Sequence, residues 1–162
     1  VLFLNEYNQE SGIAKGAQFL KLVERLLKAG CPLQGLVLQS HLWIDIPEGV
    51  IAAYMREISQ FGLPIHVSEL DCTLRTENRL DLRSQADRIA AQGARVTELA
   101  SAFAALPRAQ QFAFTVWGLR DTDSWYRQGD KDDGRDKPLP FDSFGRPNPM
   151  AAALAAGFKT PA

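Results

Sequence analysis

A charge of one sign is what this chain lacks most plainly: 18 lysines and arginines stand against 19 aspartates and glutamates, for a formal charge of −1. That balance leaves no basic field to hold nucleic acid or an anionic membrane, and points to a neutral or small ligand. Cysteine is scarce as well. Cys31 and Cys72 match neither a disulfide framework nor a metal knuckle in number or separation, and read as small buried apolar residues. No apolar run reaches the roughly 18 residues of a membrane span. There is no initiator Met and no signal peptide; VLFLN opens the chain with no lead-in, as in a cut chain, so a targeting segment would stand upstream.

What is present suits one soluble globular domain over residues 1–162, with 46% hydrophobic and 23% charged residues, enough for a real core. VLFLN at 1–5 reads as a buried strand. In GAQFLKLVERLLKAG, Phe19, Leu20, Val23, Leu26 and Leu27 recur at helical spacing and Gly30 closes the helix. Leu36, Val37 and Leu38 form a second strand that ends in Gln39, Ser40 and His41. Pro47 and Glu48 open a helix through GVIAAYMREISQF, stopped by Gly62, and IHVSELD is the third strand. After the irregular CTLRTENRLDL, a helix runs from about Ser84 to Ala105 and ends at Pro107; FAFTVWG is strand four, and PMAAALAAGF a last helix.

Strand and helix thus alternate four times, each strand an unalternating apolar run of the kind covered on both faces, which is a parallel α/β unit. Four such units make either a small open doubly wound sheet or half of an eight-fold barrel. NEYNQESG carries neither GxGxxG nor GxxxxGK, so the nucleotide-type sheet loses ground to the half-barrel.

The polar clusters NEYN, QSH, ELD and WGLRD all lie at the C-terminal ends of strands, where α/β folds place their chemistry. A buried strand that ends in Glu69 and Asp71 is costly unless solvent, a partner or a reaction uses the acids. Taken with Asn5, Glu6, Tyr7, His41, Trp117 and Trp125, the rim mixes aromatic faces with amides and carboxylates, an inventory that suits a sugar. The plainer readings are a solvated strand-end Glu, a structural His and a core Trp. Asp121, Asp123, Asp130, Asp132, Asp133 and Asp136 lack the EF-hand order and read as a solvated loop, so neither a metal nor a cofactor is expected.

VLFLNEYN, LVLQSHL, IHVSELD and FTVWGLRDTDSW, in that order, resemble strands five to eight of the family 10 glycoside hydrolases, the retaining endo-β-1,4-xylanases, and PLPFDSFGRPNPMAAAL resembles that family's final segment. The resemblance implies a (β/α)4 half of a TIM (β/α)8 barrel, xylan or a xylo-oligosaccharide as substrate, and a secreted or periplasmic home. It makes Glu69 the nucleophile, His41 its hydrogen-bonding neighbour and Asp71 the acid that orients His41. Trp117 and Trp125 become the walls of the subsite beside the cleaved bond; Gln39, Tyr7 and Asn5 surround the sugar, with Asn5 and Glu6 mainly structural. Ser68 stands where Thr is commoner, and Asn148 where Lys is usual.

The family takes its general acid/base from an Asn-Glu pair on the fourth strand, which has no counterpart in this chain. Little or no hydrolysis is therefore expected of the chain alone, whose open edges would be covered by a missing N-terminal half or by a second copy in a homodimer. The alternatives are a non-catalytic self-assembling half-barrel that retains weak sugar binding and an unrelated small α/β sugar-binding domain.

Overall fold

A computed structural model describes residues 1–76, 80–129, 132 and 134–159. Its elements are β1 (Phe3–Glu6), α1 (Ile13–Lys28), β2 (Gly35–Leu38), β3 (His41–Trp43), α2 (Val50–Ser59), β4 (Ile65–Thr73), α3 (Gln85–Ala104), β5 (Gln111–Val116) and α4 (Pro149–Lys159), with short three-ten turns between the larger pieces. The helices end as the sequence implies. Gly30 supplies the left-handed residue just past α1, and Ser84 caps α3 in a reciprocal pairing with Asp87.

All strand pairings are parallel, in the order β1-β2-β4-β5, with β3 beside the far end of β4. Leu36, Leu38, Ile65, Val67 and Leu70 are closed off beneath Ile51, Met55 and Ile58 of α2 and Val96 and Leu99 of α3. At about 25 cal/mol per Å² of apolar surface, this two-layer burial is the main favourable term of the fold.

The sheet is strongly curved. Three inter-strand steps separate β1 from β5, about 14 Å at the usual spacing, yet the rings of Phe3 and Phe112 meet with centroids 4.7 Å apart. Phe3 can lean inward because its neighbour is Gly35, where a Cβ would fall 2.0 Å from the ring.

Four expectations need correction. The strands number five, not four, because the chain resumes pairing at His41 after a break at Ser40. The outer strands are not buried on both faces: β1 and β5 are edges, and Phe112 is 57% exposed. Cys72 is buried, but Cys31 is only partly so; both thiols are free.

The acidic loop is also not simply solvated. Asp121 and Asp136 are buried, because backbone amides reach them from distant segments: Leu139 N–H donates to Asp121 at 3.1 Å and Leu74 N–H to Asp136 at 2.8 Å. Asp123 and Asp132 pair with Arg120 and Arg127, while Asp130 and Asp133 lie outside the described residues. No group of three or more metal-ligating side chains occurs among the described residues, and none of their helices is long and apolar enough to cross a membrane.

Burial raises the Asp121 carboxyl from its ordinary 3.8 to about 6. The folded chain then holds more protons than the unfolded one between those values, so stability falls as pH rises through the window. Asp121→Asn removes the titration. The melting temperature of the wild type, measured against the variant, is expected to drop between pH 4 and pH 7 by an amount worth on the order of 2 kcal/mol; a constant difference refutes the assignment.

Candidate active site

β4 builds the site by outrunning its neighbours. Its first residues pair with β2, from Leu36↔Ile65 to Leu38↔Val67, and then β2 stops. Ser40 adopts a left-handed φ of 64°, which turns the chain while Gln39 O still accepts from Glu69 N–H at 3.0 Å. Pairing resumes with His41↔Asp71 and Leu42↔Cys72, which puts the imidazole and the carboxylate side by side on adjacent parallel strands. On the other flank, the pairing with β5 is irregular between Val67 and Leu70, across Ser68 and Glu69. An irregularity of this kind re-aims a side chain, and here the residue concerned is Glu69.

The result is a short chain of charge. Asp71, with no exposed surface, accepts from His41 Nδ1–H at 3.0 Å and from the Trp125 indole N–H at 2.8 Å. The opposite ring nitrogen, Nε2, stands 3.3 Å from Glu69 Oε2. Because a carboxylate only accepts, Nδ1 carries a proton. Burial alone would lower the His41 pKa, but the hydrogen bond to Asp71 and the charges of Asp71 and Glu69 outweigh it and hold the imidazole above its ordinary value. Desolvation pushes the Asp71 carboxyl upward, opposed by its bonds from His41 and Trp125.

Aromatic rings wall this chain. Trp117 and Trp125 meet His41 edge-on, with centroids 6.2 Å and 5.5 Å away, and both indoles are about half exposed, so they offer open faces rather than core packing. Glu69, His41, Asp71, Trp117 and Trp125 are thus brought together.

Asn5, Tyr7 and Gln39 occupy the same strand-end rim, and Gln39 is tied to the cluster by its backbone carbonyl, which accepts from Glu69 N–H. Tyr7 is engaged elsewhere: the Lys15 ammonium lies 3.3 Å from its ring centre and also pairs with Glu6 at 3.0 Å.

Beside the cluster opens a cavity of about 660 Å³, lined by Asn8, Trp43, Asp45, Thr73, Arg75 and Tyr126, among others. Tyr126 stacks on Trp125 at 4.4 Å, so the aromatic wall continues into this groove. Of these residues only Asn8, in the NEYN cluster, stood out in the sequence. Trp43 follows His41 by two, the spacing of one strand face, a signal that becomes readable only once β3 is recognised as a strand. A second cavity, of about 650 Å³, is rich in arginine, but Arg75, Arg83 and Arg88 already serve ion pairs, such as Arg88 with Asp81 at 2.9 Å and Arg75 with Asp136 at 3.4 Å.

Residues 1–156 match the glycosyl hydrolase family 10. The chain belongs to that family. Among family 10 relatives, it is 26% identical to the endo-β-1,4-xylanase Xyn10C of Cellvibrio japonicus over 96% of its own length, which is 28% of that protein. Its fold follows that of a thermostable mutant of the C. japonicus xylanase Xyn10A with a TM-score of 0.83 and 30% identity, covering 97% of this chain and 49% of that one. A Xyn10C variant solved in complex with xylopentaose gives a TM-score of 0.82 at 26% identity, covering 99% of this chain and 34% of that one. The chain therefore spans half or less of the family 10 proteins it matches, and its α/β fold corresponds to part of their barrel.

Proposed function

We propose that this chain forms the nucleophile-bearing half of a retaining endo-β-1,4-xylanase, with xylan or a xylo-oligosaccharide as its ligand. The observation that carries the reading is the Glu69–His41–Asp71 chain between two half-exposed indoles. Glu69 attacks the anomeric carbon and forms a glycosyl-enzyme intermediate, which requires it to be ionised; a positively charged His41 beside it favours that state. Asp71 orients His41, and Trp117 and Trp125 stack on the apolar faces of the sugar. Tyr7, Gln39 and Asn5 offer polar and aromatic contacts around it, and an exported protein fits a polysaccharide substrate.

Retaining hydrolysis needs a second carboxyl about 5 to 5.5 Å from the first to protonate the leaving oxygen. Asp71 is occupied by His41 and Trp125, and Glu10 is sealed from solvent. On the family reading, the second carboxyl comes from strands outside these 162 residues. The open edges β1 and β5, the inward curvature and the exposed Phe112 favour a half-barrel completed by further strands, either the N-terminal half of the barrel or a second copy. The same edges support a second reading, a self-paired half-barrel that binds sugar without cleaving it.

Light scattering on the purified chain, with xylan hydrolysis assayed across the same peak, separates these. A dimer without hydrolysis is expected of self-pairing. Efficient release of xylobiose by the pure chain, abolished by Glu69→Gln, overturns the view that the acid lies outside it.

A further inference from the structure

Two polar residues that the sequence puts in a loop are closed inside the molecule: Gln9 is 1% exposed and Glu10 is 0% exposed. Gln9 has a structural use, since its amide donates to Val37 O at 2.7 Å and it accepts from the Tyr54 hydroxyl at 3.4 Å. Glu10 has no such use. Neither of its carboxyl oxygens has an aligned hydrogen-bond partner, and the Ser40 hydroxyl, equally buried, has none either. Ser40 and the backbone amides of Gln9 and Glu10 are near enough to act on the carboxyl, and His41 is the cation whose charge reaches it, yet burial dominates and pushes the carboxyl upward. An isolated carboxylate in such a place is strongly disfavoured. A protonated carboxyl is not, and it gains an O–H donor that Ser40 Oγ can accept.

Ser40 is also the residue whose left-handed φ of 64° ends β2 and delivers His41 to its two carboxylates. A non-glycine residue held there is strained and persists only when its surroundings over-determine it. We propose that Glu10 is a positioning residue of the active site: a neutral carboxylic acid that donates to Ser40 Oγ and fixes the turn that aims His41 at Glu69 and Asp71. This rests on the reading of Glu69 and His41 as the reacting pair, but its test reads the imidazole and not hydrolysis.

His41 is faced by Glu69 and Asp71 of β4 and by the rings of Trp117 and Trp125, and Glu10 is faced by Tyr54 of α2, which also senses Glu57. The chain has two histidines, so His66 serves as an internal control when the ring resonances are followed against pH by NMR in the full chain. Glu10→Gln keeps a neutral donor and is expected to leave the His41 midpoint in place while removing an infrared carbonyl band of a protonated carboxyl. Glu10→Ala and Ser40→Ala each remove one partner and are expected to move the His41 resonances and lower its midpoint by similar amounts, with no further change in the double variant.

A fall of the His41 midpoint in Glu10→Gln, as the loss of a neighbouring anion gives, overturns the proposal by showing an ionised Glu10. Unmoved His41 resonances in both alanine variants overturn it by showing that the turn does not depend on the pair. If Glu10→Ala does not fold, Ser40→Ala and Glu10→Gln still decide the matter.

Discussion

Glu69→Gln, made in a barrel completed by its remaining strands, is expected to lower xylan hydrolysis by on the order of 10⁴-fold or more, while folding and oligosaccharide affinity stay near the wild type. The amide has the shape of the carboxylate and can still accept a hydrogen bond from His41 Nε2, 3.3 Å from the wild-type oxygen. It has no anionic oxygen with which to attack the anomeric carbon, and it removes one of the two charges that hold a proton on His41. Two readouts separate chemistry from collapse. A mechanism-based fluoroglycoside of xylobiose should label the wild-type carboxyl and leave the variant unlabelled, and the melting temperature should change little, since the amide fills the same partly buried space as the carboxylate. Covalent labelling that survives the substitution moves the nucleophile to another residue.

Much of this site could be read before any coordinates, and the parts that could not share a cause. Glu69, His41, Asp71 and Trp117 were visible because each sits at or just past the end of an apolar run, and runs such as Leu36 to Leu38 mark a strand wherever they occur, whereas Trp125 stood out through the family resemblance. β3 was hidden because three residues, His41 to Trp43, are too few for a pattern and because the turn before them is made by Ser40, a residue that seldom adopts a positive φ.

Gln9 and Glu10 lie in a polar stretch that follows β1, yet both residues are buried. Gln9 is held there by Val37 and Tyr54, 28 and 45 positions away. The misreading of Asp136 has the same origin, since its partner Thr73 lies 63 positions earlier in the chain. Local pattern reports which face of an element is apolar; it is silent on which distant backbone amide will reach a carboxylate.

Asp71→Asn is expected to impair the site strongly, though less completely than the loss of Glu69, and by a different route. The Trp125 indole can only donate, so it claims the amide oxygen that replaces the carboxylate oxygen it now bonds at 2.8 Å. The amide NH2 is then turned toward His41 Nδ1, which must give up its proton to accept, so the ring becomes neutral with its hydrogen on Nε2. The alternative flip leaves the indole N–H facing an NH2, an unpaired donor worth about 1 to 3 kcal/mol. The first arrangement wins, and with it His41 loses the partner that contributes most to holding its pKa above the ordinary 6.5.

The consequence for stability follows in sign. The wild-type contacts of the imidazolium contribute fully below about pH 6.5 and are lost as pH rises through the higher folded-state value. In Asp71→Asn that dependence should flatten, the ring ¹⁵N shifts should report the Nε2–H tautomer, and hydrolysis by the completed enzyme should fall by about 10² to 10⁴-fold. A variant whose His41 titrates as in the wild type would falsify the role of Asp71, since an orienting carboxylate cannot be exchanged for an amide without the imidazole registering the change.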